Sequence, residues 1–303
     1  MHMIKPKAKT IRPDAGTIPF HVLGYVVISI ISIVALIPFW LMVAGSFSDE
    51  ADIIVNGFTV WPRIFSTYAY KCIFVNSEKI IRSYAITILI TVCGGGASVL
   101  LTSMTGYVLQ RQDFPYRNGL SFFIYFTTLF SGGLVPWYVL IINVGFKNTL
   151  WALIIPALLS PWHIMLMRNF IRSIPFSVVE AAKIDGANDW GIYVRIILPL
   201  SVSGIAAVGL FIALRYWNDW YHANLFMNDE KNYPLQFLLY QLLSSAEFLK
   251  SAAAANFDVS NVQAPAETLK LATAVVVTGP ILLLYPFVQR YFVKGITIGA
   301  VKG

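Results

Sequence analysis

The segment Ser173–Pro199 reads SIPFSVVEAAKIDGANDWGIYVRIILP and joins two long apolar stretches. Its chemistry is unusual for a linker. Pro175 stops the helix before it, and Ser177 with Glu180 has the S-x-x-E spacing of a capping box. In that motif a hydroxyl and a carboxylate satisfy the free N–H groups at the start of a new helix. The new helix is short, because Gly186 takes the left-handed backbone of a helix end without steric penalty. Asn188 or Asp189 then caps a second helical stretch that runs into the following apolar segment. Ala181 and Ala182 give the short helix a face with little side chain, which the groove of another protein can approach closely. A short exposed helix held between two apolar stretches has the form of a docking knob.

The rest of the chain explains why such a knob sits on a membrane. Of 303 residues, 57% are hydrophobic and only 12% charged, and the mean hydropathy is +0.68. Soluble domains carry about 25% charged residues. The net charge of +7 would suggest a nucleic-acid partner in a soluble protein, but here its distribution matters more than its sum. Six apolar segments of membrane length follow one another, about Phe20–Phe47, Tyr84–Gln110, Leu120–Ile142, Leu150–Arg168, Arg195–Trp217 and Leu271–Phe292. They predict an all-α integral membrane domain over residues 20–292, flanked by an N-terminal tail (1–19) and a C-terminal tail (293–303). The first segment is too long for the apolar core of a cleavable signal peptide.

Charge sets the orientation. With the N-terminus in the cytoplasm, the segments on that side collect 13 basic residues against five acids. The opposite side holds eight basic residues and ten acids, with Arg215 left near a segment end. The positive-inside rule then places both termini and the Ser173–Pro199 loop in the cytoplasm, and the two long polar loops outside. No Asp or Glu lies well inside any of the six segments. Ion-coupled carriers commonly keep such carboxylates despite their insertion cost, so their absence weighs against a secondary carrier. There is no G-x-x-x-x-G-K-[ST] phosphate loop, no H-E-x-x-H and no paired nucleophile and histidine. Neither an ATPase nor a membrane-embedded enzyme is legible. Cys72 and Cys93 are not expected to pair, and the four histidines have no metal-ligand spacing.

Glu180-Ala181-Ala182, then Gly186, then Ile196, Leu198 and Pro199, match EAA-x3-G-x9-I-x-L-P. This resembles the signature of permease subunits of binding-protein-dependent ABC importers. The stretches FSGGLVPWYVLIINVGFKNTLWALIIPALLSPWHIMLMRN (Phe130–Asn169), RYWNDWYHANLF (Arg215–Phe226) and FVKGITIGAVKG (Phe292–Gly303) are similar to the carbohydrate-uptake branch. Within it they look like the shorter maltose-type permease and the subgroup for complex oligosaccharides. The resemblance implies a type I importer permease fold in a bacterial inner membrane, with Ser177–Gly186 as a coupling helix seated on a cytoplasmic ATPase. Asp185 belongs to that docking set, while Leu198 and Pro199 set the start of the fifth segment. It implies as partners a second, similar permease, two ATPase subunits carrying ATP and Mg, and an extracytoplasmic binding protein. The tail Gly295–Gly303 matches a stretch that reaches between the ATPases in relatives.

The solute implied is an oligosaccharide, neutral or of the uronate (alginate) type. Its contacts are harder to read. Tyr216, Trp217, Asn218 and Trp220 cluster at the outer end of the fifth segment beside Arg215. Sugars are held by aromatic faces and planar polar groups, but the same residues fit an interfacial aromatic belt with a snorkelling arginine.

Overall fold

Long apolar runs fold as helices and stop where Gly, Pro or Ser interrupts them. That pattern governs the computed structural model, which describes residues 18–75, 77–254, 265–280 and 282. Among the described residues the regular structure is helical, apart from one isolated antiparallel bridge between Ser48 and Phe65. Two helices are long and apolar enough to cross a bilayer unbroken: α1 (Ile18–Ser46) and, after the short helices α2 (Glu50–Asn56) and α3 (Tyr68–Phe74), α4 (Ser77–Gln110).

Three further apolar segments are broken. α5 (Arg117–Leu129) and α6 (Leu134–Asn143) meet at 113°. The break falls at Ser131-Gly132-Gly133, where Gly133 has a φ of 85° that only glycine adopts without strain. α7 (Trp151–Ala157) and α8 (Pro161–Arg172) meet at 48°, since Pro156 and Pro161 each remove a backbone donor. After the short helix α9 (Phe176–Ile184), α10 (Asp189–Leu200) and α11 (Val202–Trp217) meet at 83° around Ser201, two residues beyond Pro199. Counting each bent pair as one span gives up to five membrane-length segments. They fall under the first five predicted from sequence. The sixth, Leu271–Phe292, is helical through residue 280 and at 282, and the remainder lies outside the described residues. So do the N-terminal tail, up to residue 17, and the tail Gly295–Gly303.

Broken helices inside a bilayer leave carbonyls that must find partners, because no water is at hand. Here the partners come from neighbouring helices. At the α7–α8 break, Tyr216 Oη donates to the Ile154 carbonyl (3.0 Å) and Ser98 Oγ to the Leu158 carbonyl (2.6 Å). Glycines let the helices approach. A Cβ on Gly204 would stand 2.6 Å from Phe170 Cβ, and one on Gly94 2.9 Å from the Tyr216 ring. The resulting core joins α4, α8, α9, α10 and α11 through Ile90, Tyr107, Met167, Val179, Tyr193 and Val208. A second, outer cluster packs Ile73, Ile80, Trp217, Leu235 and Leu239. α13 (Leu235–Ala254), which follows the short α12 (Tyr221–Phe226), supplies Leu235, Leu239 and also Ala246. Helix α1 stands apart, with none of its most apolar stretch buried within the chain.

Candidate functional site

The docking loop begins differently from the capping box expected of it. Pro175, in extended backbone (φ −60°, ψ 134°), is the N-cap of α9 and makes no side-chain cap bond. Ser177 is already helical, so its hydroxyl cannot swing back onto the free N–H groups that a cap residue serves. The box is therefore not formed. Glu180, free of that task, stands exposed on the helix surface.

The other end matches the sequence reading. Gly186 has a φ of +81°. Its N–H donates to the Lys183 carbonyl (3.0 Å), while the Ala187 N–H donates to the Ala182 carbonyl (3.0 Å). These two bonds make a Schellman ending, which satisfies the last carbonyls of a short helix. Asn188 then caps α10, its side chain accepting from the Gly191 N–H at 2.7 Å. Asp185 sits at the C-terminal end of α9. A carboxylate there opposes the helix dipole, at a cost of about 0.3–1 kcal/mol. Local stability does not call for an acid in that place.

The two alanines face opposite ways. Ala181 is exposed, but Ala182 is buried with Val179 in the core that runs up into the helix bundle. The expectation of a common alanine face is corrected on this point, because neighbouring residues lie 100° apart on a helix. The outward surface instead carries Glu180, Ala181, Asp185 and Ile184, which is 87% exposed. Ile196 and Leu198 pack partly buried against the core, and Pro199 is exposed. Tyr193–Ile197 is a π turn. Its wider register directly precedes Pro199, which lacks the donor an α turn would use.

What fixes the loop to the bundle is a chain of charges that the sequence reading counted only as flanks. Arg111, just past the end of α4, donates to Asp113 through Nε (2.9 Å) and Nη2 (2.6 Å). Its Nη1 lies 2.7 Å from Asp189 Oδ1 at the start of α10. Lys183 of α9 pairs with the same Asp113 carboxylate. The guanidinium also sits 5.9 Å from the centre of the Tyr107 ring, which stacks on Tyr193. Tyr193 Oη and Ser103 Oγ share a hydrogen bond of 2.7 Å. The Arg111 guanidinium, with help from Lys183, holds the Asp113 carboxyl well below the usual carboxylate range. An Arg-x-Asp turn after an apolar segment was the only sequence sign of this cluster. Its partners lie 70 or more residues on.

At the outer end, two of the four aromatic-cluster residues are structural. Tyr216 and Trp217 are buried, Tyr216 on the Ile154 carbonyl and Trp217 donating through Nε1 to the Val277 carbonyl at 3.3 Å. Neither offers a ring face to a sugar in this conformation. Asn218 is exposed, its Oδ1 accepting from Gln236 Nε2 (3.0 Å), and Trp220 stacks on Tyr240 with centroids 4.3 Å apart. Arg215 is exposed, with no ion pair among the described residues. Among those residues, no group of three or more His, Cys, Asp or Glu is placed to hold a metal.

Among the described residues, the chain is thus a helical bundle with broken spans and a loop helix, α9, packed into its core. The chain belongs to the family described as binding-protein-dependent transport system inner membrane component, which it matches over residues 98–298. It is similar to the polygalacturonan/rhamnogalacturonan transport system permease protein YtcP of Bacillus subtilis (strain 168), with 36% identity covering 94% of this chain and 98% of that one. Protein LplC of the same organism is 37% identical over 94% of this chain and 95% of its own length. Among solved structures it resembles a chain of a bacterial ABC transporter involved in the import of the acidic polysaccharide alginate. There the TM-score is 0.74 and the identity 27%, covering 93% of this chain and 100% of that one.

Proposed function

We propose that this chain is a membrane-spanning half of an ATP-driven importer for an oligosaccharide, of the uronate-containing class. Its working assembly comprises a second, similar permease, two cytoplasmic ATPase subunits and an extracytoplasmic binding protein that delivers the sugar. The chain binds no cofactor itself, and ATP and Mg belong to the ATPases. It crosses the inner membrane six times with both termini in the cytoplasm, a reading supported by the 13 basic residues that this orientation gathers inside.

One observation carries the reading. The α9 helix exposes Glu180, Ala181, Ile184 and Asp185, while its other face, Val179 and Ala182, belongs to the transmembrane core. A partner that moves this helix moves the bundle. Closure of the ATPases around ATP pushes the loop, and the bundle passes between outward- and inward-open states. Both the ATPase and the binding protein bias that one equilibrium, which is what coupling between distant sites requires. The uronate class is supported by the substrates named for the relatives. Arg215 supports it too: an exposed guanidinium at the outer end of α11, with no ion pair among the described residues, suits a carboxylate. Asn218 and Trp220 stand beside it as sugar contacts.

Affinity purification tests the assembly. A tagged chain from its native host brings down an ABC ATPase and a second permease, and mass spectrometry identifies both. A chain that purifies without any ATPase refutes the proposal.

A further inference from the structure

The charges around the docking helix fall into two groups. Glu180 and Asp185 point outward, with no ion pair among the described residues. Lys183 and Asp189, from the same loop, reach back to the end of α4, where Asp113 and Arg111 receive them. Arg111 is the most enclosed member, its side chain only 16% exposed, and it contributes both teeth of its fork to Asp113 and its remaining terminal nitrogen to Asp189. The apolar contacts that α9 makes with the bundle come from the buried Val179 and Ala182 and the partly buried Phe176. A few apolar side chains on one short helix hold it down but do not fix its angle, since the hydrophobic effect is non-directional. Forked, charge-assisted hydrogen bonds do fix angles.

We infer that Arg111 and Asp113 are positioning residues for energy coupling: they tie α9 to α4, so that the docking helix and this long helix move as one body. The inference rests on the permease reading above. Its consequence is a lever. α4 runs 34 residues, about 50 Å at a helical rise of about 1.5 Å per residue. Its far end carries Lys79, which pairs with Glu230 in the outer loop region. A push on α9 therefore reaches the outer face through one helix. Without the clamp, α9 would rock on its apolar contacts and lose the stroke.

The test uses the whole complex (both permeases, the ATPases and the binding protein) in lipid vesicles, with labelled trigalacturonate as probe. Asp113→Asn keeps the size of the side chain and removes its charge. The expected result is continued ATP hydrolysis with sugar delivered per ATP lower by about tenfold, the scale on which a charge-assisted contact acts. A merely structural role would reduce the yield of complex and leave that ratio unchanged. In a Cys72→Ser, Cys93→Ser background, Asp113→Cys with Lys183→Cys is then bridged by a short thiol-specific crosslinker. Coupling returns on bridging if the clamp acts as a mechanical tie. If Asp113→Asn fails to assemble, Lys183→Gln, which cuts one arm and leaves the Arg111 fork, is judged by the same ratio. An unchanged ratio, or a bridged pair that stays uncoupled, overturns the inference. A wild-type complex that moves no sugar overturns the permease reading instead.

Discussion

Replacing Gly186 separates backbone strain from contact at the docking helix. The residue has a φ of +81°, and a Cβ added there meets nothing within 4 Å. Any penalty inside the chain is therefore conformational. For a residue with a Cβ, left-handed backbone costs about 1–2 kcal/mol, and more when the side chain is β-branched. That corresponds to a factor of about 5–30 in the population of the Schellman ending. A partner that needs this ending binds more weakly by the same factor, because apparent affinity scales with the competent fraction. Titrating the purified ATPase onto the chain in nanodiscs measures it. Gly186→Val is expected to weaken binding at least as much as Gly186→Ala, and Gly186→Asn to stay close to wild type, since asparagine tolerates this region. Wild-type binding by the valine variant would refute the reasoning. So would equal loss with asparagine and valine, which would place the fault in the docking surface rather than the turn.

Three further outcomes follow from the packing and the clamp. Gly204→Ala forces α8 and α11 apart, because the nearest atom to its new methyl is Phe170 Cβ at 2.6 Å. Thermal unfolding in detergent should show a loss of about 1–3 kcal/mol, and Phe170→Ala should not relieve it, since the Cβ remains. Tyr216→Phe leaves the Ile154 carbonyl without its partner at the α7–α8 break and should cost about 1–3 kcal/mol in the same assay. It should leave sugar selectivity unaltered, because that ring packs inside. Asp113 has its carboxyl held well below the usual carboxylate range by Arg111 and then Lys183. A depressed native pKa adds stability above the unfolded value, about 3.9, and that stability is lost as pH falls through the native value. Hydrogen exchange of the 176–192 loop should therefore stay flat from neutral pH to about pH 4.5, once corrected for the intrinsic rate. A rise in protein opening near pH 6 would contradict the clamp's electrostatics.

Much of this was legible in the sequence, and the limits have physical reasons. Long apolar runs announce themselves, because the bilayer leaves few alternatives for twenty uncharged residues. Gly186 was readable as a helix stop and Asn188 or Asp189 as the next start, since each acts on its own neighbours, and the structure selects Asn188. Ser177 misled, because the S-x-x-E spacing carries no information about which residue is the last non-helical one. Pro175, with its fixed φ, took that place. Ala182 faced inward since helix phase depends on tertiary packing rather than on the motif. Tyr216 and Trp217 looked like an interfacial belt until the break at Pro156–Pro161 supplied a carbonyl for one of them and the helix at 266–280 a carbonyl for the other. The Arg111–Asp113–Lys183–Asp189 cluster left only its Arg-x-Asp turn in the sequence, because partners so far apart in the chain meet only once the bundle has formed.

The central claim is that force enters this chain through α9 and leaves it as sugar movement. Uptake of labelled trigalacturonate into vesicles containing the complete complex tests it directly. The account predicts accumulation that needs ATP, Mg and the binding protein together, and that vanishes in Glu180→Lys although the variant chain remains in the membrane. Accumulation without ATP, or undiminished accumulation in that variant, would contradict it.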